Sequence, residues 1–292
     1  MFKKCFFVLI FFLFGGILNA QNFNSSFSNS IPDWDNYEFE YDFWSGNHRP
    51  FIELNYGFGK LKHHDFGESF KDLGLIELKL GYNQIDSYDA SILEFKNNFF
   101  FISKISTRIK SEIEKNGKIE TDMLRFGFGE NTGYGYGFNG FSILPYNGSS
   151  FVWSKIDVID PIYGPILNSG KDNFDKMANV LERYDGNFRF GQISEGGINL
   201  QFGDLISIGA AYEAHVVFPR HMFWYQTGSY LIEKAGQGAI GYFVEEIMDN
   251  TPEAGPIVNF LLQNGLAYAM YTLRKEKMSW PFNTETPLTY ET

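Results

Sequence analysis

Segments of six to nine residues that alternate between apolar and polar recur five times before position 130, and this constrains the chain more than any other feature. Tyr37, Phe39, Tyr41 and Phe43 oppose Asn36, Glu38, Glu40 and Asp42; Ile52, Leu54, Tyr56 and Phe58 oppose Glu53, Asn55, Gly57 and Gly59. Ile76, Leu78, Leu80 and Tyr82 oppose Glu77, Lys79 and Gly81; Leu93, Phe95, Phe99 and Phe101 oppose Glu94, Lys96 and Asn98; Leu124, Phe126 and Phe128 oppose Arg125, Gly127 and Gly129. Period two is the signature of a strand with two unlike faces. Strand character continues through 133–158 and, after a long loop at 160–186 carrying a short amphipathic helix, through 187–218. The expectation is eight to ten strands.

After Phe218 the period changes. Ile232, Ala235, Gly236, Ala239, Ile240, Phe243 and Ile247 recur at three- and four-residue spacing, the stripe of a helix ending before Asn250-Thr251-Pro252. A second helix is expected from Pro256, whose missing amide is harmless in a first turn. Residues 254–273 carry no charge, but Asn259, Gln263 and Asn264 interrupt them, so a helix buried against its partner is preferred to a membrane span. The tail after Pro281 reads as irregular.

The first twenty residues open with Lys3 and Lys4, run through an apolar stretch and close on Leu18-Asn19-Ala20, the pattern of a cleaved export signal. The single cysteine, Cys5, leaves with it, so disulfides, thiolate metal sites and thiol nucleophiles are not expected. Thirty-five acidic against 24 basic residues exclude the basic footprint of an unassisted nucleic-acid binder. The organisation expected is a signal at 1–20, a flexible Asn/Ser-rich leader at 21–35, strands over 36–222, and a helical pair with tail over 223–292.

Gly-rich, aromatic-rich alternation across roughly residues 36–218 resembles the outer-membrane β-barrels of Gram-negative bacteria, and the short Phe- and Ile-rich signal resembles those of the Bacteroidota. The resemblance is one of pattern. It implies a mainly β fold, an antiparallel barrel with a C-terminal helical hairpin, located in the outer membrane. Contacts would be with lipid and other envelope proteins, with oligomeric state open. A strand ending in an aromatic residue usually closes such chains, whereas this one ends Tyr290-Glu291-Thr292.

On that reading aromatic faces meet lipid and charged faces meet the lumen, because Lys79 or Lys96 in hydrocarbon would cost roughly 2–4 kcal/mol each near the midplane. The expected lumen cluster is Glu53, Glu77, Lys79, Glu94, Lys96, Arg125, Glu213 and His215. Both signs in a narrow barrel point to a filled interior, and so to a non-enzymatic scaffold, adhesion or assembly partner, or a narrow pathway. A soluble exported α+β binding protein or hydrolase is the alternative.

No motif fixes a reaction, and no cofactor is implied. His63, His64, Asp65 and Glu68 form a weak metal-ligand grouping in a turn, for which a solvated loop is the plainer account. Glu213, His215 and His221 could serve as base or ligand, or simply hydrogen-bond in the lumen. Glu38, Glu40 and Asp42 put three carboxylates on one face, where hard oxygen ligands suit calcium, but the loop spacing of a calcium site is lacking. Residues 236–241 match G-x-G-x-x-G without the preceding strand that a dinucleotide site needs. Asn147-Gly148-Ser149 matches a glycosylation acceptor, and no G-x-S-x-G elbow occurs.

Overall fold

The computed structural model describes residues 48–64, 70–89, 91–109, 119–160, 171–203, 205–220, 222–276 and 285–292. The signal, the leader, the alternating run at 36–43, Asp65, Glu68 and His221 lie outside the described residues.

Eight antiparallel strands close into a barrel in chain order: β1 (His48–Lys62), β2 (Asp72–Ser87), β3 (Ile92–Ser106), β4 (Glu120–Phe138), β5 (Phe141–Asp160), β6 (Phe188–Phe202), β7 (Ile206–Val217) and β8 (Leu288–Glu291). β1 to β7 are meander neighbours, each long enough to cross a bilayer when tilted. β8, in the tail expected to be irregular, is four residues long and pairs with the ends of both β1 and β7. Short connections lie at one end of the barrel, here the upper end. There Gly140 supplies the positive φ, +75°, that the tight β4–β5 turn requires. The longer connections lie at the lower end.

The register places residues 77, 79, 97, 99, 101, 125, 146, 195, 213 and 215 on the inner face. An eight-stranded interior is only as wide as its side chains, so inward aromatics need small partners. A Cβ on Gly59 would lie 2.6 Å from the Tyr290 ring, one on Gly127 2.8 Å from Phe101, one on Gly133 3.0 Å from Phe95, and one on Gly197 2.6 Å from Tyr146 Oη. The glycines that look like strand breakers in the sequence are seats for these rings.

Along the axis the interior is layered. The lower end is an apolar plug of Leu61, Phe70, Leu75, Ile105, Met123, Ile156, Val217 and Tyr290, into which α1 (Lys171–Tyr184) inserts Tyr184. The middle is charged. Phe99, Phe101, Val152 and Ile193, and then Phe95, Leu144 and Tyr146, pack around and above it.

Two helices follow β7. α2 (Phe223–Asn250) and α3 (Gly255–Lys275) form an antiparallel hairpin joined through a short 3₁₀ turn at Pro252–Ala254. They lie on the outer wall of the barrel. Val244 and Met248 pack on Ile92, Tyr134 and Tyr136, while Tyr271 and Met222 pack on Ala214 and Val216.

Candidate functional site: a sealed charged layer and a capped outer wall

The alternation of β2, β4, β6 and β7 carries Glu77, Lys79, Arg125, Glu195 and Glu213 inward at similar heights, and all five are buried. Arg125 donates to both Glu213 oxygens, with Nη2–Oε2 at 2.7 Å, and to Glu77 at 3.0 Å; its Nε reaches Ser103 Oγ. Lys79 Nζ lies 2.9 Å from Glu195, 3.5 Å from Glu53 and 3.7 Å from Glu77, and Tyr146 donates to Glu195 at 2.5 Å. Asn55 donates to Glu53 at 2.6 Å and bridges to Glu77 at 3.3 Å. Phe99 faces the Lys79 ammonium, and Phe101 and Tyr290 flank the Arg125 guanidinium. Each charge is paired and hydrogen-bonded, the condition under which burial is tolerated.

Of the residues expected to share the lumen, Glu53, Glu77, Lys79, Arg125, Glu213 and His215 face inward. Glu94 and Lys96 do not. β3 presents Phe95, Asn97, Phe99 and Phe101 to the interior, and Glu94, Lys96, Asn98, Phe100 and Ile102 to the outside. The desolvation argument that sent Lys96 inward holds only at mid-height. Glu94 and Lys96 are the second and third outward positions from the upper end of β3, beside Asp86 and Gln84. Glu195, which the sequence reading missed, is the main partner of Lys79. It sits two residues before Gly197 in a Gly-rich strand where no run of alternation singles it out.

The remaining candidates separate. His63 hydrogen-bonds to the Thr286 carbonyl at 3.3 Å, His64 is exposed, and no cluster of metal-ligating side chains occurs among the described residues. Glu213 gives both oxygens to Arg125, leaving His215 Nε2 3.4 Å from Ser154 Oγ in a fully buried setting. The G-x-G-x-x-G run lies inside α2, where Gly236 packs on Leu266. Asn147 is covered by the hairpin, out of reach of a glycosylating enzyme.

The outer wall is built in cross-strand rows. One reads Leu54, Leu78, Ile102, Phe126, Trp153 and Phe190 from β1 to β6; the next reads Ile52, Leu80, Phe100, Phe128 and Phe151, then Gln192. Below them the outward ion pairs Lys60–Asp72, Lys104–Asp122 and Lys155–Asp157 make a charged collar, and Asp86, Glu94 and Lys96 make another above. On β4, β5 and β6 the wall carries a polar stripe, Glu130, Asn147, Ser149, Gln192 and Ser194.

The hairpin covers that stripe. Lys234 pairs with Glu130 at 2.6 Å, Asn264 donates to the Tyr146 carbonyl at 3.2 Å, and Gln237 donates to Asn147 at 3.4 Å. Gln192 donates to Glu233 at 3.2 Å and accepts from Gln226. Arg274 crosses from α3 to α2 at 2.6 Å from Glu233 and 2.7 Å from Ser229 Oγ. All of these groups turn toward the barrel.

Below the last two turns of α2, where Glu245, Glu246, Asp249 and Asn250 are exposed, what the hairpin turns to the outside is apolar. The exposed residues of α2 between positions 224 and 243 are Trp224, Leu231, Ile232, Ala235, Gly238, Ala239, Tyr242 and Phe243; those of α3 are Ile257, Leu261, Leu262, Gly265, Tyr268 and Ala269. Among the described residues no helix is long and apolar enough to cross a membrane. The barrel-facing polar side chains lower the mean hydropathy of both helices.

Comparison with protein-family models, with curated proteins and with solved structures gave no match.

Proposed function

We propose that the protein is an integral outer-membrane barrel that serves as a scaffold or assembly partner at the cell envelope, without a reaction of its own. One observation carries this reading. The outward rows of the barrel and the outward side of the hairpin make an apolar surface between two charged collars, while the polar residues at that height, Asn98 apart, are turned inward or covered. Twenty helical residues at about 1.5 Å each span the roughly 30 Å of a hydrocarbon core, so the apolar side of the hairpin has the height of a bilayer. In water this surface would be an interaction liability of unusual extent, since the exposed side chains include Ile52, Leu54, Tyr242 and Leu261.

The filled interior favours a scaffold over a conduit. Apolar layers lie above and below the charged layer, and the charges neutralise each other instead of lining a water column. The longer lower connections correspond to the outer surface and the short upper turns to the periplasm, as is usual for such barrels.

Fractionation of the native host tests the reading. Retention in carbonate-washed outer membranes, with an unboiled gel band that shifts on boiling, is the expected result. A soluble chain with one heat-independent band would overturn it and favour the soluble ligand-binding alternative.

A further inference from the structure

Among the described residues the barrel wall is incomplete in its upper half on one side. Glu291 of β8 is level with Lys60 of β1 and Ala214 of β7, and Thr292 still pairs with Glu213. Above that point residues 52–58 of β1 stand opposite residues 206–212 of β7, and among the described residues no strand lies between them. Ser207, Gly209 and Ala211 face the interior by register yet are exposed, which marks the seam as open. With β8 holding the two strands two spacings apart, the seam is about 10 Å wide, room for one strand.

Resting on the membrane reading above, we propose that this seam is an acceptor for one extended segment of another envelope protein, which completes the wall by pairing with β1 and β7 at once. In hydrocarbon an open edge cannot stay unpaired, because each unsatisfied N–H and C=O costs several kcal/mol. β1 and β7 run in the same direction, so a single strand can be antiparallel to both. The inserted segment needs about seven residues and strict alternation. Its outward side chains join Ile52, Leu54, Ile206 and Ile208, so they are apolar. Its inward side chains meet Gly209 and Ala211 on one edge and Glu53 and Asn55 on the other.

Charge selects the occupant. Glu53, Glu77, Glu195 and Glu213 outnumber Lys79 and Arg125 in the interior; Glu53, its side chain 29% exposed, borders the seam, accepts from Asn55 and lies 3.5 Å from Lys79, the cation it shares with Glu77 and Glu195. A strand with an inward lysine or arginine opposite Glu53 balances the layer. This chain's own alternating run before β1 carries Glu38, Glu40 and Asp42 on its polar face, the wrong sign. A second copy in the same membrane orientation offers β1 and β7 edges that run parallel to the ones they would have to pair with. The segment therefore comes from a different protein.

The test uses the purified full-length mature chain in lipid nanodiscs and two eight-residue peptides alternating valine with threonine. One inward threonine is replaced by lysine in the first peptide and by glutamate in the second. Hydrogen exchange is read at residues 52–58 and 206–212. The expected result is rapid exchange of seam amides without peptide and about tenfold protection of both edges by the lysine peptide. The glutamate peptide should have little effect, and the preference should be lost in Glu53→Gln and reversed in Glu53→Lys. Edges already protected without peptide, protection of one edge alone, or equal action of the two peptides would overturn the proposal. A chain that never enters the outer-membrane fraction defeats the membrane reading instead, a result visible before any peptide is added.

Discussion

Arg125 has no accessible surface and holds Glu213, Glu77 and Ser103 together across the barrel. Arg125→Met removes the cation while leaving two buried carboxylates, a change worth about 3–5 kcal/mol against the folded state. The heat-shift temperature in detergent should fall sharply, and adding Glu213→Gln should restore part of it, because one of the stranded charges is removed. Gly127 is the counterpart in packing. Gly127→Ala drives a methyl into Phe101 and the Phe151 carbonyl, and the expected loss is about 1–3 kcal/mol in urea unfolding. Outside the strands, burial raises the Tyr184 phenol above its ordinary value of 10.0. A raised phenol pKa makes its contribution complete below that value and lost as pH climbs through the folded one. The lower plug should therefore loosen in alkali, and ultraviolet titration of wild type against Tyr184→Phe should show one tyrosine ionising late. At this scale the sequence revealed the two faces of each strand but not always which face is inner. β2 has one apolar and one charged face and was readable. On β3, Phe99, Phe100, Phe101 and Ile102 put apolar residues on both faces, so the inward set could be decided only by the neighbouring strands.

At the scale of elements, the hairpin depends on Arg274 and Glu233, each almost completely buried between the helices and the wall. Arg274→Met leaves Glu233 uncompensated, which should release the hairpin at a cost of about 3–5 kcal/mol. Exchange in α2 and α3 should rise while the barrel keeps its heat shift. The double variant Arg274→Met with Glu233→Leu should dock again. The helices themselves were legible from their spacing, and Pro256 marks the first turn of α3 as expected. Their placement was not, since nothing in a helical stripe tells whether Gln226, Glu233 and Gln237 face water or a polar stripe on a barrel. β8 escaped notice because four residues are too few for a period to register, and its strand state is imposed by the edges of β1 and β7.

At the scale of the molecule, closure turns separate amphipathic strands into an outer wall and a filled interior, and the hairpin makes that wall apolar where the barrel alone is not. The pattern in the sequence established the antiparallel barrel and its helical hairpin. The polar stripe, the seam and the pairing of Lys79 with Glu195 arise from register, which a single sequence does not encode locally. The central claim is that this composite wall meets lipid. With Cys5 confined to the expected signal, single cysteines can be placed at Leu80, Phe100 and Ile102 on the wall and at Leu261 on the hairpin, with Lys96→Cys in the upper collar as the reference. Labelling of each variant in lipid nanodiscs, which leave both collars open to water, with a membrane-impermeant maleimide is the most direct measurement. The account predicts that Lys96→Cys labels while the other four stay unreactive until the protein is unfolded. Equal labelling of wall and collar in the folded protein would contradict it.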